Sequence, residues 1–244
     1  MSIKSTISKI IKSLLSICLV AVFAFEAPYA HHQYLRHIAE QNVVRIVGMD
    51  GMGTGFQVET KSGKRYILTN KHVCKMMGPL SAEVYGNKTG GIRRNIIAIS
   101  EKHDLCVLEG LPGVKGIKIS SDDIKDGEIV YTLGHPRGEA LNVTAGEKFD
   151  NKVIQLGQET EEDGTCSEGT LQHQFSIFGE IKFCLVTRNA IQFDTPTYPG
   201  NSGSPVVNKY GRLVSVVFAG STQTENNGFG VPLSYVKDFL SSLK

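Results

Sequence analysis

The sequence lacks a marked excess of charge of either sign. Its 26 lysine and arginine residues and 24 aspartate and glutamate residues give a formal net charge of +2 over 244 residues. The N-terminal segment alone accounts for this charge, because it contains Lys4, Lys9 and Lys12 against a single acid, Glu26. A near-neutral body does not favour the phosphate backbone of nucleic acid or an anionic membrane surface as a partner.

The sequence also lacks long helical periodicity, internal repeats and low-complexity linkers. A composition of 41% hydrophobic and 20% charged residues is ordinary for a globular protein, so we do not expect disorder. The 26 glycines separate short apolar segments, a pattern typical of an all-β protein. The predicted strands are Val43 to Val47, Gly55 to Glu59, Arg65 to Thr69, Asn95 to Ser100, Leu105 to Leu108, Glu128 to Leu133, Lys152 to Leu156, Ile181 to Thr187, Ala190 to Phe193, Pro205 to Val207, Leu213 to Ala219 and Gly228 to Val231.

These strands fit a sandwich or a pair of barrels better than a doubly wound parallel sheet. One helix is predicted at the end, from Tyr235 to Leu240, with Ser234 as its cap. No second module is visible. We therefore expect one unit of two β subdomains, residues 31–125 and 126–244, with the helix in the second.

Residues 1–30 have the features of a secretory signal peptide. Basic residues precede the uncharged stretch Ser13 to Phe25, which as a helix would be about 20 Å long and too short to cross a bilayer comfortably. Cleavage after Ala24 fits the small-residue rule best. The alternative is an uncleaved anchor, which would be the chain's membrane contact, and in either case the body faces an extracytoplasmic space, secreted or periplasmic.

Three histidines follow this segment, at His31, His32 and His37. They could be metal ligands, but a short polar tail before the first strand is the favoured interpretation. We therefore expect no metal site there.

The segment from Tyr198 to Pro205, YPGNSGSP, has the strongest chemical signal. A serine hydroxyl is a weak nucleophile that needs a neighbouring base and amide donors for the oxygen that becomes negative. A tight turn with glycine at positions 200 and 203 would let backbone N–H groups converge. We interpret Ser202 as the nucleophile and the amides of Gly200 and Ser202 as an oxyanion hole. The alternative is an ordinary glycine-rich turn.

Two further residues supply what a nucleophilic serine lacks. His72 follows an apolar segment, where an imidazole can be held at a sheet edge, although an isolated histidine there would more often be structural. Asp104 precedes an apolar strand, so its carboxylate is expected to be partly buried and to need a donor. The Nδ1–H of a catalytic histidine is such a donor, and the bond leaves Nε2 free to accept the serine proton.

The order His72, Asp104, Ser202 discriminates between hydrolase types. It is the order of chymotrypsin-like proteases. The α/β-hydrolase order requires a histidine after the serine, and none follows Ser202. Taken together, the motifs resemble those of trypsin-like serine proteases of the bacterial kind, close to the V8-like glutamyl endopeptidases and the HtrA proteases. The matching segments are Gly51 to Phe56 (GMGTGF), Leu68 to Val73 (LTNKHV), His103 to Leu105 (HDL), Leu133 to Pro136 (LGHP) and Pro199 to Pro205 (PGNSGSP).

The resemblance implies two six-stranded antiparallel β-barrels with a C-terminal helix. His72 and Asp104 would come from the first barrel and Ser202 from the second, with the active site in the cleft between them. It also implies a serine endopeptidase that hydrolyses proteins or peptides through an acyl-enzyme, without a cofactor. The alternative function is a catalytically silent binding protein, which a damaged triad would favour.

Two departures from the family pattern stand out. Ser202 lies 98 positions after Asp104, so residues 145–185 are expected to carry an enlarged loop near the cleft. No PDZ module follows the protease part, unlike in HtrA proteins.

The residues that would set substrate preference match neither group. A trypsin-type pocket has an acid six residues before the serine, where this chain has Pro196. The glutamyl enzymes have a pocket histidine where this chain has Val217. We expect a modest, mainly apolar pocket, with the substrate backbone paired to the edge at residues 218–220. The expected substrate-binding residues are Thr195, Thr197, Tyr198, Val217, Phe218, Ala219 and Gly220.

Four cysteines remain outside the signal segment and allow three pairings. We favour Cys166 with Cys184, which would clip the enlarged loop. Cys74 with Cys106 is then the remaining pair, close to His72 and Asp104. Unpaired buried thiols are the alternative.

Overall fold

The computed structural model describes residues 28–48, 51–76, 81–86, 89–160, 163–166, 168–176, 179–220 and 227–243. The body of the predicted signal segment, residues 1–27, lies outside these ranges. Within them, no helix is long and apolar enough to cross a membrane.

Two seven-stranded sheets follow one another along the chain. The first contains β1 Val43–Val47, β2 Met52–Glu59, β3 Arg65–Thr69, β4 Ser81–Gly86, β5 Thr89–Ile99, β6 Cys106–Glu109 and β7 Ile117–Lys118. The second contains β8 Ile129–Gly134, β9 Asn142–Glu159, β10 Thr170–Ser176, β11 Gly179–Phe193, β12 Pro205–Asn208, β13 Leu213–Gly220 and β14 Gly228–Pro232. The helices are α1 (residues 28–42), α2 Lys71–Lys75 and α3 Leu233–Ser242, with a 3₁₀ turn at Pro136–Gly138.

The first sheet closes into a six-stranded antiparallel barrel, because β1 pairs with both β4 and β2. Strand β7 is added in parallel on β2. Aliphatic side chains fill one core cluster of this half, among them Ile46, Ile67 and Leu108, each with no exposed surface. Such β-branched and aliphatic residues pack well on a pleated surface, which is why these segments form strands.

The second sheet is also ringed by hydrogen bonds, because β11 pairs with both β14 and β9. Strand β10 is added on β11 outside the ring. The core of the second sheet contains Phe193, Val206 and Val217. The expectation of an all-β double barrel with a C-terminal helix is confirmed.

The segment 145–185, expected to carry an enlarged loop, is largely extended strand. Strands β9 and β11 pair continuously from Phe183↔Glu159 to Ile191↔Asn151, and β10 covers the outer edge of β11. Outward side chains such as Val153, 68% exposed, show that this ribbon reaches beyond the barrel core.

Several local predictions differ from the structure. The sequence pattern does not predict β4, β7 and β10, and the two strands predicted at residues 181–187 and 190–193 are one strand, β11. The expected polar tail around His31 to His37 is instead the helix α1, whose Leu35 and Ala39 have no exposed surface. Ser234 does not cap α3, because Pro232 precedes the first helical residue and its fixed φ, here −53°, already suits the start of a helix.

Candidate active site

His72 is the second residue of the short helix α2, which begins two positions after β3 ends. Asn70 precedes the helix, and its side chain donates to the carbonyl oxygen of Asp104 at 2.9 Å instead of capping α2. A disulfide between Cys74 and Cys106 ties α2 to the start of β6. The helix is therefore fixed to the strand that follows Asp104.

Asp104 lies between β5 and β6 and is only 4% exposed. Its Oδ1 accepts a hydrogen bond from the backbone N–H of His72 at 3.0 Å, and its Oδ2 lies 2.6 Å from His72 Nδ1. Because an ionised carboxylate is only an acceptor, Nδ1 carries the proton and donates. This bond leaves Nε2 of the neutral ring unprotonated.

The surroundings of Asp104 favour its charged form. Burial raises the pKa of Asp104, but the charge of His72, its two hydrogen bonds and the more distant Arg188 outweigh burial and hold the pKa below its ordinary value. Asp104 is therefore ionised at neutral pH and can stabilise a protonated imidazole beside it.

Ser202 lies in the turn between β11 and β12, which β2 holds in place. The backbone N–H of Thr54 donates to the Ser202 carbonyl oxygen at 2.8 Å, and the Thr54 hydroxyl donates to the Gly200 carbonyl oxygen at 2.8 Å. Gly203 has a φ of +86° and lies directly against the Thr54 carbonyl oxygen, so a side chain there has no room. The serine turn is thus built against the first barrel.

A hydrogen bond from outside the turn sets the direction of the Gly200 amide. The N–H of Arg137 donates to the Pro199 carbonyl oxygen at 2.6 Å. In a trans peptide the C=O and N–H point to opposite sides, so the Gly200 N–H is directed away from Arg137. Across the described residues, neither this N–H nor that of Ser202 donates to a protein acceptor.

Arg137 is itself held in an unusual conformation. Its φ is +55°, which is uncommon for a residue with a side chain, and its guanidinium lies 4.3 Å from the centre of the Tyr198 ring. Sequence reasoning missed this residue, since nothing in the local pattern of Pro136 and Gly138 indicates a contact with the serine turn.

Gly53 on β2 lies against both the Val73 side chain, which follows His72 in the chain, and the backbone of Ser202. A methyl group at Gly53 would lie 2.8 Å from Val73 Cγ1 and 3.1 Å from the Ser202 carbonyl oxygen. No hydrogen bond joins the Ser202 hydroxyl to the His72 ring among the bonds of the described chain. The structure therefore pairs His72 with Asp104 directly, and both Ser202 and the residue after His72 lie against Gly53 on β2.

The expected pocket residues divide into two groups. Thr195 and Val217 have no exposed surface, and the Thr195 hydroxyl lies 3.2 Å from that of Thr132, so these two support the site from within. Thr197 lies against the paired ends of β13 and β14, because a methyl at Gly220 would be 2.8 Å from its carbonyl oxygen and one at Gly228 would be 2.6 Å from its hydroxyl.

The remaining expected pocket residues flank this position. Phe218 is 5% exposed and Ala219 is partly buried. Tyr198 lines a different cleft of about 230 Å³, together with Pro136 and Asn201. Tyr198 thus lines a cleft that does not include the other expected pocket residues.

The largest departure from the sequence analysis is an ion-pair cluster beside His72. Glu168 lies between Lys71 and Arg188, with its Oε1 2.8 Å from Lys71 Nζ and its Oε2 bonded to the Arg188 guanidinium. Burial raises the pKa of Glu168, but the hydrogen bond from Lys71 and the charge of Arg188 bring it below its ordinary value. No group of three potential metal ligands occurs within the described ranges.

Both expected cysteine pairs are disulfides. Cys166 is bonded to Cys184 on β11, and Cys74 is bonded to Cys106. The prediction of a clip in the 145–185 segment is confirmed, and the alternative of free buried thiols is excluded.

The sequence is similar to those of bacterial serine proteases. The sequence is 28% identical over 199 residues to the serine protease Do-like HtrA of Bacillus subtilis, an alignment that covers 79% of this chain and 39% of that protein. It is 27% identical over 211 residues to the HtrA of Lactococcus lactis subsp. cremoris, covering 79% of this chain and 44% of that protein. The chain thus spans less than half the length of these relatives.

Solved structures share the fold. The active form of the Rv3671c protease from M. tuberculosis superposes with a TM-score of 0.63 at 21% identity, covering 86% of this chain and 83% of that one. The HtrA-type protease AlgW with a tripeptide gives a TM-score of 0.63 at 20% identity, covering 88% and 62%. The trypsin-like peptidase domain family matches residues 53–216, which include His72, Asp104 and Ser202. The chain therefore belongs to the trypsin-like peptidase domain family, and its body is a serine-peptidase domain with the chymotrypsin-like fold.

Proposed function

We propose that this protein is an exported serine endopeptidase that cleaves peptide bonds with a Ser202, His72 and Asp104 triad. The observation that carries the proposal is the 2.6 Å bond between His72 Nδ1 and a buried, ionised Asp104 in a trypsin-like peptidase domain. Asp104 fixes the tautomer of His72 and stabilises the imidazolium that forms during the reaction.

In this mechanism the Ser202 hydroxyl attacks the peptide carbonyl carbon while His72 Nε2 takes its proton. The carbonyl oxygen becomes negative and accepts hydrogen bonds from the N–H groups of Gly200 and Ser202. His72 then gives the proton to the leaving amine, and an acyl-enzyme remains on Ser202. Water, activated by His72, releases the acid product.

The substrate backbone is proposed to extend the second barrel at the end of β13. The pairing of β13 with β12 ends at Val216, and Val217 bonds instead to Gly203 and Ser204, so residues 218–220 continue past β12 beside the serine turn. An extended peptide can pair with such an edge. The Thr197 side chain and the Phe193 ring, both packed against Gly228, support a shallow pocket for a small apolar side chain.

An oxidising compartment is the proposed location. The two disulfides are typical of proteins that work outside the cytosol, in the periplasm or the medium. The basic, then apolar start of the chain supports the same route.

Reaction with a fluorophosphonate probe tests the proposed nucleophile. We expect the purified protein to be labelled and Ser202→Ala to remain unlabelled, because the probe requires a serine activated by a base. Ser234→Ala, at an exposed position on α3, is the matched control and should be labelled like the wild type. Absence of labelling in the folded wild-type protein would instead favour a silent binding protein. For an active protein, cleavage of a diverse peptide library then gives the substrate preference.

A further inference from the structure

We propose that Glu168 is a positioning residue that holds His72 in place from the second sheet. The proposal rests on the proposed function, because it assigns a role within the same site. Lys71, the first residue of α2, precedes His72 directly and is bonded to Glu168 at 2.8 Å. Glu168 lies just before β10 and is bonded in turn to Arg188 on β11. The cluster of Lys71, Glu168 and Arg188 therefore links the two sheets beside the site.

The Glu168 cluster is largely withdrawn from water. The side chains of Lys71, Glu168 and Arg188 are 17%, 18% and 11% exposed. Ion pairs on the surface contribute little, but removing one member of a buried cluster leaves the others charged and unpaired. The loss of Glu168 would thus displace Lys71 towards water, and α2 would move with it.

Helix α2 depends on such outside support because it has only five residues and no side-chain cap. A helix this short is not stable by itself. Cys74 fixes its last turn to β6 through the disulfide. Lys71 at the opposite end has no such covalent link, and the first turn is held by the bond from the His72 N–H to Asp104 and by the pairing of Lys71 with Glu168.

The second sheet in turn fixes Glu168 from both sides. Cys166, two positions before Glu168, is bonded to Cys184 on β11. Gly169 has a φ of +80° and lies directly against the Leu185 carbonyl oxygen, where a side chain would clash. Glu168 thus lies between two residues that are fixed against β11.

The cluster also sets the charge around His72. Asp104 faces the ring directly, and the field of Arg188 reaches both Asp104 and His103. Removal of the Glu168 carboxylate makes the charge beside α2 more positive and removal of Lys71 makes it more negative, and added positive charge disfavours a protonated imidazole while added negative charge favours it. The titratable and charged groups on and around α2 are Lys71, Lys75, Lys102, His103, Asp104, Glu168 and Arg188.

The test compares the rate of fluorophosphonate labelling across pH for three variants. We expect Glu168→Gln and Lys71→Met each to react about tenfold more slowly at neutral pH, since a small displacement of a catalytic group is costly. The acidic limb of the rate profile should move to lower pH in Glu168→Gln and to higher pH in Lys71→Met. Glu180→Gln is the matched control, because Glu180 pairs with His173 on the same ribbon and is 37% exposed.

The outcomes separate this proposal from the proposed function. A wild-type protein that is not labelled removes the proposed function and the role of Glu168 with it. A labelled wild type with Glu168→Gln equal to it, or with Glu168→Gln and Glu180→Gln equally slowed, overturns the role of Glu168 alone. Equal shifts of the acidic limb in Glu168→Gln and Lys71→Met would also overturn it, and circular dichroism of each variant confirms that folded proteins are compared.

Discussion

At the scale of single residues, Asp104 makes the most direct contacts with His72, the proposed base. Both of its carboxylate oxygens accept from the same residue, one from the ring and one from the backbone of His72. The carboxylate therefore fixes the position of His72 as well as its tautomer. Substitution by asparagine keeps the size of the side chain but replaces one acceptor with a donor.

We predict that Asp104→Asn folds but loses activity by about 10⁴-fold, because the histidine is then held in the wrong tautomer. The rate of fluorophosphonate labelling and the melting temperature measure the two effects separately. Asp150→Asn, on the exposed part of β9, serves as the control. Labelling of Asp104→Asn at the wild-type rate would remove Asp104 from the mechanism.

The sequence predicts some of these residues better than others. The bond between His72 and Asp104 could be expected, because each residue borders an apolar strand and each supplies what the other needs. Glu168 could not, since its partners Lys71 and Arg188 lie 97 and 20 positions away and no local pattern joins them. Contacts of this kind depend on how the two sheets meet.

At the scale of elements, the ribbon of β9, β10 and β11 combines a structural extension with a contact to the site. Its strands pair over most of their length, and Glu168, just before β10, reaches α2 through Lys71. The disulfide of Cys166 with Cys184 fixes the chain to β11 two positions before Glu168. On the proposed function, the ribbon contributes to the site through Glu168.

We predict that replacing both Cys166 and Cys184 by serine lowers stability and activity together. Loss of a cross-link across 18 positions should cost about 3 kcal/mol of unfolding free energy in the chain-entropy estimate. Labelling should also slow, because Glu168 is then less firmly held. Denaturant unfolding and the labelling rate are the measurements, and unchanged values for both would contradict the prediction.

Strand periodicity explains why most strands of the two barrels were predictable and α1 was not. Apolar segments of strand length recur along the body, and their alternation is a local property. Helix α1 buries few side chains, chiefly Leu35 and Ala39, in a segment rich in polar residues. Its packing partners lie far away in sequence, so no local pattern distinguishes it from a polar tail.

At the scale of the whole molecule, the contacts of α1 do not follow its position in the chain. It precedes the first barrel in the chain but packs against the second: the Tyr34 hydroxyl donates to the Tyr210 carbonyl oxygen at 3.2 Å, and the rings of His31 and Tyr131 are 5.2 Å apart. Leu35 belongs to the same core cluster as Val207 and Leu213. The helix therefore joins the two halves in addition to their direct contact.

We predict that Leu35→Ala destabilises the folded protein by about 2 to 5 kcal/mol, as expected for a fully buried leucine. Tyr29→Ala, on the same helix but 68% exposed, should change stability by less than about 0.5 kcal/mol. Urea unfolding of the two variants measures the difference. Similar values would mean that α1 adds little to the fold.

The contact of Thr54 with the serine turn has a consequence for the time at which hydrolysis can start. The proposed base and the proposed nucleophile are encoded in different halves of the chain, and the turn of the second half rests on hydrogen bonds from the first. A chain whose second half has not yet folded against the first therefore holds only an incomplete catalyst. On the proposed mechanism, hydrolysis begins only once both halves have folded and docked.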